Sequence, residues 1–135
     1  MMSSSEPHDK KRSRSILSRI FSRPRRYDFA GRVVLLTGAS RGLGLVLARR
    51  FAKEGARLAI CARDRNELLR AGQELGALGA ELLEVACDLS DRAEVRSMVA
   101  AVLDHYGRID VVINNAGTIG VGPVDMMRES DWERA

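Results

Sequence analysis

Short apolar runs along the chain alternate with stretches in which apolar residues recur every three or four positions. The runs at 32–36, 57–62 and 109–113 predict buried strands, and a further strand is expected to end near Cys87. The helical spacing predicts a helix after each of the first three strands. Strands that alternate with helices form a parallel sheet through right-handed crossovers. The predicted fold class is therefore α/β, a doubly wound parallel sheet with the strand order 3-2-1-4.

The same periodicity predicts which face of each helix is buried. The first helix is expected to pack one apolar face on the sheet, and this face consists of Leu43, Val46, Leu47 and Phe51. The second helix, around Leu68 and Leu75, is less clearly marked because Gly72 and Gly76 lower its propensity. The third helix should end at Gly107. Its apolar stripe is Val95, Met98, Val99, Val102, Leu103 and Tyr106.

Three glycines join the first strand to the first helix in segment 37–44, whose sequence is Thr-Gly-Ala-Ser-Arg-Gly-Leu-Gly. Gly38 permits a tight turn, Gly42 keeps a side chain out of a ligand's path, and Gly44 lets the helix approach the sheet. The first N–H groups of the helix and the positive end of its dipole would then face an anionic ligand. The segment therefore predicts a site for a dinucleotide pyrophosphate.

Two other interpretations of this glycine segment have to be weighed. A triphosphate loop needs Gly-x-x-x-x-Gly-Lys and then Ser or Thr, but the spacing differs and no lysine follows before Lys53. A turn without any ligand stays open as an alternative. The complete strand–helix–strand unit of about 30 residues favours the dinucleotide.

The end of the second strand bears on the choice of dinucleotide. An acid there would accept hydrogen bonds from a ribose 2′-hydroxyl, but the sequence has Ala62 and then Arg63. Arg63, together with Arg41 of the glycine segment, offers donors to a 2′-phosphate. The predicted cofactor is NADP(H), with NAD(H) as the second choice. Asp64 is the candidate N-cap of the next helix, and the alternative for both arginines is a solvated surface charge.

Three segments together resemble the short-chain dehydrogenase/reductase family, over about residues 27–135. Segment 37–44 is similar to that family's Thr-Gly-x-x-x-Gly-x-Gly motif, 87–89 to its aspartate after the third strand, and 114–117 to its Asn-Asn-Ala-Gly. The resemblance implies a Rossmann-type fold and an NADP(H)-dependent oxidoreductase acting on a small carbonyl or alcohol substrate. The implied cofactor-binding residues are Gly38, Ser40, Arg41, Gly42, Leu43, Gly44, Arg63, Asp88, Leu89, Asn115, Ala116 and Gly117.

The resemblance also implies individual roles, each with a simpler alternative. Asp88 would bind the adenine amino group and Asn114 would steady the sheet beside the cofactor. The simpler alternative for Asp88 is a cap for the following helix, a role that Ser90 or Asp91 could share. The simpler alternative for Asn114 and Asn115 is that they form a turn.

The catalytic groups of that family are a serine and a Tyr-x-x-x-Lys pair, and no such pair occurs in these 135 residues. The tyrosines are Tyr27 and Tyr106, followed four positions later by Gly31 and Asp110. No catalytic residue is therefore assigned. The expectation is an incomplete Rossmann domain, truncated after the fourth strand, that supplies the cofactor-binding half of a reductase. The alternative is a non-catalytic nucleotide-binding or interaction protein.

The charge is distributed unevenly between residues 1–26 and residues 27–135. The first 26 residues contain eight basic and two acidic side chains, whereas the remainder has 14 basic and 16 acidic ones. The positive excess thus belongs to a tail, which is expected to be disordered or to form an amphipathic segment with weak membrane-surface contact. An organellar transit peptide is a further alternative. No nucleic-acid partner is expected, since the domain itself is not basic.

Cys61 and Cys87 fall at predicted strand ends, where cysteine usually acts as a small apolar residue. Two such cysteines favour a reducing, cytoplasmic location, with membrane-peripheral placement through the tail as the variant. His8 and His105 have no second ligand at metal spacing, so no metal site is expected. An open sheet edge makes a homo-oligomer a further expectation.

Overall fold

A computed structural model describes residues 27–118 and 124–130 of the chain. The tail predicted for residues 1–26 and the membrane contact assigned to it lie outside the described residues. The elements are β1 (Val33–Thr37), α1 (Gly42–Lys53), β2 (Arg57–Ala62), α2 (Arg65–Ala77), β3 (Leu82–Ala86), α3 (Arg92–Tyr106) and β4 (Val111–Ile113), and a 3-10 turn follows at Val124–Met126.

The four strands form one parallel sheet in the order β3-β2-β1-β4. In the register, Leu35 of β1 lies between Ala59 of β2 and Val112 of β4. This arrangement confirms the predicted α/β class and strand order. Because all four strands are parallel, the segments after their carboxyl ends gather at one edge of the sheet.

Alternate residues of the strands face two separate apolar layers. Val34 and Leu36 point to the layer formed with α1 and α2, whereas Val33 and Leu35 point to the layer formed with α3. All four side chains are buried because both faces of β1 are covered by helices. The continuous apolar runs in the sequence are a direct consequence of this two-sided burial.

The sheet-facing side of α1 differs from the predicted one. Leu43 and Val46 are 67% and 53% exposed, whereas Gly44 and Ala48 are buried. Leu47 and Phe51 pack partly against the core, as expected. Two small residues face the strands, so the helix backbone lies close to the sheet and the larger Leu43 and Val46 remain outside.

The other two helices follow their patterns more closely. In α2, Gly72 does not interrupt the helix and is buried together with Leu68 and Leu75. In α3, Met98 and Val102 are buried and Gly107 ends the helix in the left-handed conformation (φ 73°), but Leu103 is exposed. The Tyr106 hydroxyl donates to the Leu58 carbonyl at 2.9 Å, and burial raises the pKa of Tyr106 to about 12.

The strand β4 lies at an edge of the described sheet. It pairs with β1 on one side, and Val112, which shares the face of Leu35, is 53% exposed. Within 27–118 and 124–130, no helix has the length and apolar character needed to span a membrane.

Asp110 ties the start of β1 to the segment that enters β4. Its Oδ2 accepts from the Val33 N–H at 2.9 Å, and its Oδ1 accepts from Arg108 Nε at 3.0 Å. Arg32 lies 3.6 Å from the same carboxylate. The Val33 N–H first, and then the Arg108 guanidinium, hold the pKa of Asp110 below its ordinary value.

We expect Asp110→Asn to remove a pH-dependent part of the stability. Because the folded-state pKa is depressed, the carboxylate stabilises the fold above its unfolded-state pKa, and this contribution disappears as the pH falls through the folded-state value. Urea denaturation from pH 7 downward should show the wild type losing stability faster than the variant. Asp104→Asn, at an exposed position on α3, is the control. Parallel pH profiles for wild type and Asp110→Asn would contradict this role.

Candidate functional site

The turn between β1 and α1 is built on glycine conformations. Gly38 and Gly42 have φ of 65° and 55°, in the left-handed region that side chains rarely adopt. The N–H groups of Gly38 and Ala39 donate to the Cys61 carbonyl at 2.8 and 3.3 Å. The turn is therefore attached to the end of β2 and is held in one place relative to the sheet.

Two of the three glycines are also required by close packing. A Cβ placed on Gly38 would lie 2.8 Å from Ala116 Cα, and one placed on Gly44 would lie 2.1 Å from the Gly38 carbonyl oxygen. A Cβ on Gly42, in contrast, would meet no atom within 4 Å. The first two glycines thus serve the packing of the loop, whereas Gly42 borders open space.

Thr37 and Asn115 connect this turn to the segment after β4. The Thr37 hydroxyl donates to the Ile113 carbonyl at 3.3 Å and accepts from the N–H groups of Asn115 and Ala116, both at 3.0 Å. The Asn115 Nδ2 donates to the carbonyls of Thr37 and Gly38, each at 3.1 Å. These bonds join the carboxyl end of β1 to the segment after β4. The edge of the sheet formed by the β1–α1 turn and the segments after β2, β3 and β4 is called the rim below.

The contacts with the glycine turn are made by Asn115, and the sheet-steadying role that the resemblance implies for Asn114 stays a prediction. Asn114 is exposed, whereas Asn115 is partly buried against the glycine turn. Ala116 lies directly beside Gly38, and both Ala116 and Gly117 are exposed at the rim. The second asparagine of the pair therefore orders the loop.

The N-termini of the three helices are not alike. Asp64 caps α2 by accepting from the N–H groups of Asn66 and Glu67, and Asp91 caps α3 in the same way. At α1 the capping position is Arg41, whose side chain makes no capping bond, and the first turn contains no acid. Among the described helices, α1 is the one whose first N–H groups no side-chain cap satisfies.

Asp88 and Leu89 follow β3 at the same edge of the sheet. The Asp88 Oδ1 accepts from the N–H and the hydroxyl of Ser90 at 2.9 and 2.7 Å, and these bonds hold the pKa of Asp88 below its ordinary value. Arg63 contributes electrostatically to the same shift. Asp91, and not Asp88, caps the helix, and Leu89 is exposed. Asp88 is thus a charged group at the rim, held by its own turn.

Ser40 and Arg41 have a shared partner that the sequence analysis did not identify. The Glu67 carboxylate accepts from Ser40 Oγ at 3.2 Å and from Arg41 Nη1 at 3.1 Å. Glu67 stands three residues after its N-cap Asp64, an Asp-x-x-Glu spacing that indicates a helix start but not a contact with a distant loop. Arg63, which directly follows β2, is exposed, and Leu43 is exposed at the start of α1.

Both cysteines are free thiols buried under α3. Burial raises the pKa of Cys61 to about 11, and burial likewise raises the pKa of Cys87. Thiols with raised pKa values react slowly as nucleophiles. The two cysteines act as the small apolar residues expected from the sequence.

The comparisons with known proteins agree with this architecture. A protein assigned as ketoacyl reductase 1 of the granaticin polyketide synthase of Streptomyces violaceoruber is 41% identical over 100 residues, which are 74% of this chain and 37% of the relative. The crystal structure of F189W actinorhodin polyketide ketoreductase with NADPH is 40% identical, with a TM-score of 0.72, over 76% of this chain and 40% of that one.

A second solved structure contains the other dinucleotide. A short chain dehydrogenase/reductase from Burkholderia phymatum, in complex with NAD, is 33% identical with a TM-score of 0.73, over 78% of this chain and 38% of that one. The chain therefore spans about 40% of the length of the relatives that it matches.

The parallel sheet, its strand order and the glycine turn at its edge define a Rossmann-type α/β protein. A family model described as short chain dehydrogenase matches residues 32–135. The chain belongs to the short-chain dehydrogenase family.

Proposed function

We propose that this chain binds NADP(H) at the rim formed by the β1–α1 turn and the segments after β2, β3 and β4. The whole protein would transfer hydride between NADP(H) and a small carbonyl or alcohol substrate. The residues proposed to hold the cofactor are Gly38, Ser40, Arg41, Gly42, Leu43, Gly44, Arg63, Asp88, Leu89, Asn115, Ala116 and Gly117.

The observation that carries this proposal is the exposed N-terminus of α1. It has neither a side-chain cap nor an acid in its first turn, and Gly42 leaves the space in front of it open. Unsatisfied N–H groups at a helix N-terminus favour a phosphate group. The adjoining rim carries Asp88, whose carboxylate can accept a hydrogen bond from an amino group.

The preference for the phosphorylated cofactor rests on charge. Ala62 ends β2 where an acid would favour the ribose hydroxyl, Arg63 follows it in the chain, and both Arg41 and Arg63 are exposed. Arginine matches a phosphate through its fork of N–H donors. The related structures contain NADPH in one case and NAD in the other, so the test must compare both cofactors.

The Arg41→Ala/Arg63→Ala double variant should lose the preference for NADP⁺. Removing charge-assisted bonds to the 2′-phosphate is expected to weaken NADP⁺ binding about 10- to 100-fold, and NAD⁺ binding should change by less than about twofold. Isothermal titration of the 135-residue chain with each nucleotide measures this. Arg70→Ala, at an exposed position on α2, is the matched control. Equal affinities for both nucleotides in the wild type would refute the cofactor choice.

The chemistry divides between cofactor and protein. The nicotinamide, when bound, supplies or accepts the hydride, and these residues bind and orient it. Neither Tyr27 nor Tyr106 is followed by a lysine four residues later, and the Tyr106 hydroxyl donates to the Leu58 carbonyl. A keto group as the substrate is supported by the ketoreductases among the relatives. Screening the whole protein against β-keto thioesters, with NADPH oxidation followed at 340 nm, tests this substrate class.

A further inference from the structure

Glu67 stands where α2 faces the glycine turn, and it occupies two donors of the proposed cofactor site. Its Oε1 accepts from Arg41 Nη1 at 3.1 Å and its Oε2 accepts from Ser40 Oγ at 3.2 Å. The Arg41 side chain is 79% exposed and the Glu67 side chain 34% exposed, so the acid is the more enclosed partner. The two oxygens of the carboxylate are thus each directed at a donor in the loop.

The position of Glu67 is fixed by its own helix. Its N–H donates to Asp64 Oδ1 at 2.9 Å, which places the residue in the capped first turn of α2. The carboxylate therefore reaches the loop from the capped first turn of a helix. A carboxylate and a phosphate are competing acceptors for the same hydroxyl and guanidinium groups.

We infer that Glu67 is a specificity-determining residue: its carboxylate competes with a 2′-phosphate for Ser40 and Arg41, and so lowers the preference for NADP(H). This inference rests on the proposed function. A cofactor without the 2′-phosphate leaves the Glu67 contacts intact. A cofactor with it must displace Arg41 from Glu67 and then lie beside a group of like charge. Glu67 therefore brings the affinities for the two cofactors closer together than the two arginines alone would.

The test is the Glu67→Gln variant of the protein, titrated with NADP⁺ and with NAD⁺. Glutamine keeps the length and an acceptor for Ser40 but removes the charge. We expect NADP⁺ to bind about 3- to 5-fold more tightly and NAD⁺ to change by less than about twofold, the size typical of partly exposed charges. The gain should disappear when Arg41→Ala is added, since both changes act through one pair.

The matched control is Glu74→Gln. Glu74 lies on the same helix and pairs with Arg49 of α1. The Glu74→Gln substitution therefore removes the charge from a comparable ion pair away from the glycine turn. The ratio of the two affinities should not change in this control. A Glu67→Gln variant that shifts both affinities equally, or neither, would overturn the inference and leave the proposed function in place. A wild-type chain that binds neither nucleotide would overturn both.

Discussion

Replacing Gly44 with alanine should separate α1 from the sheet and abolish cofactor binding. The added Cβ would lie 2.1 Å from the Gly38 carbonyl oxygen and 2.6 Å from Asn115 Nδ2. The first of these is backbone in a turn attached to β2, so it cannot move aside as a flexible side chain would. The helix must shift instead, and we expect a loss of about 3 kcal/mol in the free energy of unfolding. Urea denaturation and titration with NADP⁺ measure the two effects.

Gly76→Ala provides the matched control for this substitution. Gly76 is also a helical glycine, but a Cβ there would meet no atom within 4 Å. Alanine should stabilise that exposed helical position by about 0.5–1 kcal/mol because it restricts the unfolded chain and favours the helix. If Gly44→Ala were tolerated as well as Gly76→Ala, the close approach of α1 to the turn would not be a requirement of the fold.

The order of strands and helices was predictable from the sequence because it depends on local signals. Continuous apolar runs correspond to strands covered on both faces, and Gly107 ends α3 as expected for a left-handed cap. The glycine turn was equally predictable. Gly38 and Gly42 have φ values of 65° and 55°, and glycine is the residue type that adopts such values most readily. The sheet order then followed from the crossover rule.

The buried face of α1 was predicted incorrectly at Leu43 and Val46 for a physical reason. Counting apolar residues favours the face with the largest side chains, but the close helix–sheet contact places Gly44 and Ala48 on the inside. Small residues are required here because α1 lies close to the sheet. The spacing of apolar residues along the sequence gives no information about that distance. The glycine assigned to close packing already identified the inner face, and it was the better guide.

The contacts of the candidate site depended on pairings far apart in the chain. Asn115 meets the turn from 77 and 78 residues away, and Glu67 reaches Ser40 across 27 residues. Which of two adjacent asparagines faces Gly38 is decided by the register of β4 against β1. Such registers follow from the assembled sheet, so the sequence predicted the glycine turn between β1 and α1 but not the bonds that connect it to Asn115 and Glu67.

Thr37→Val should loosen this internal bonding without changing the shape of the side chain. Thr37 is 4% exposed, and its hydroxyl accepts from two N–H groups and donates to the Ile113 carbonyl, whereas valine can do neither. We expect a loss of about 2 kcal/mol in the free energy of unfolding, since partly buried N–H groups lose their partner. The amide hydrogens of Asn115 and Ala116 should also exchange faster by NMR.

Thr37→Ser separates the hydroxyl from the methyl group. Serine retains the donor and both acceptor positions, so the amides of Asn115 and Ala116 should stay protected and only a small packing loss, of about 1 kcal/mol, should remain. If the serine and valine variants lost equal stability and equal protection, the methyl group would be the important part of Thr37. A difference confined to the valine variant would instead mean that one hydroxyl holds the carboxyl end of β4 beside the glycine turn. The cofactor rim would then depend on the pairing of β1 with the edge strand.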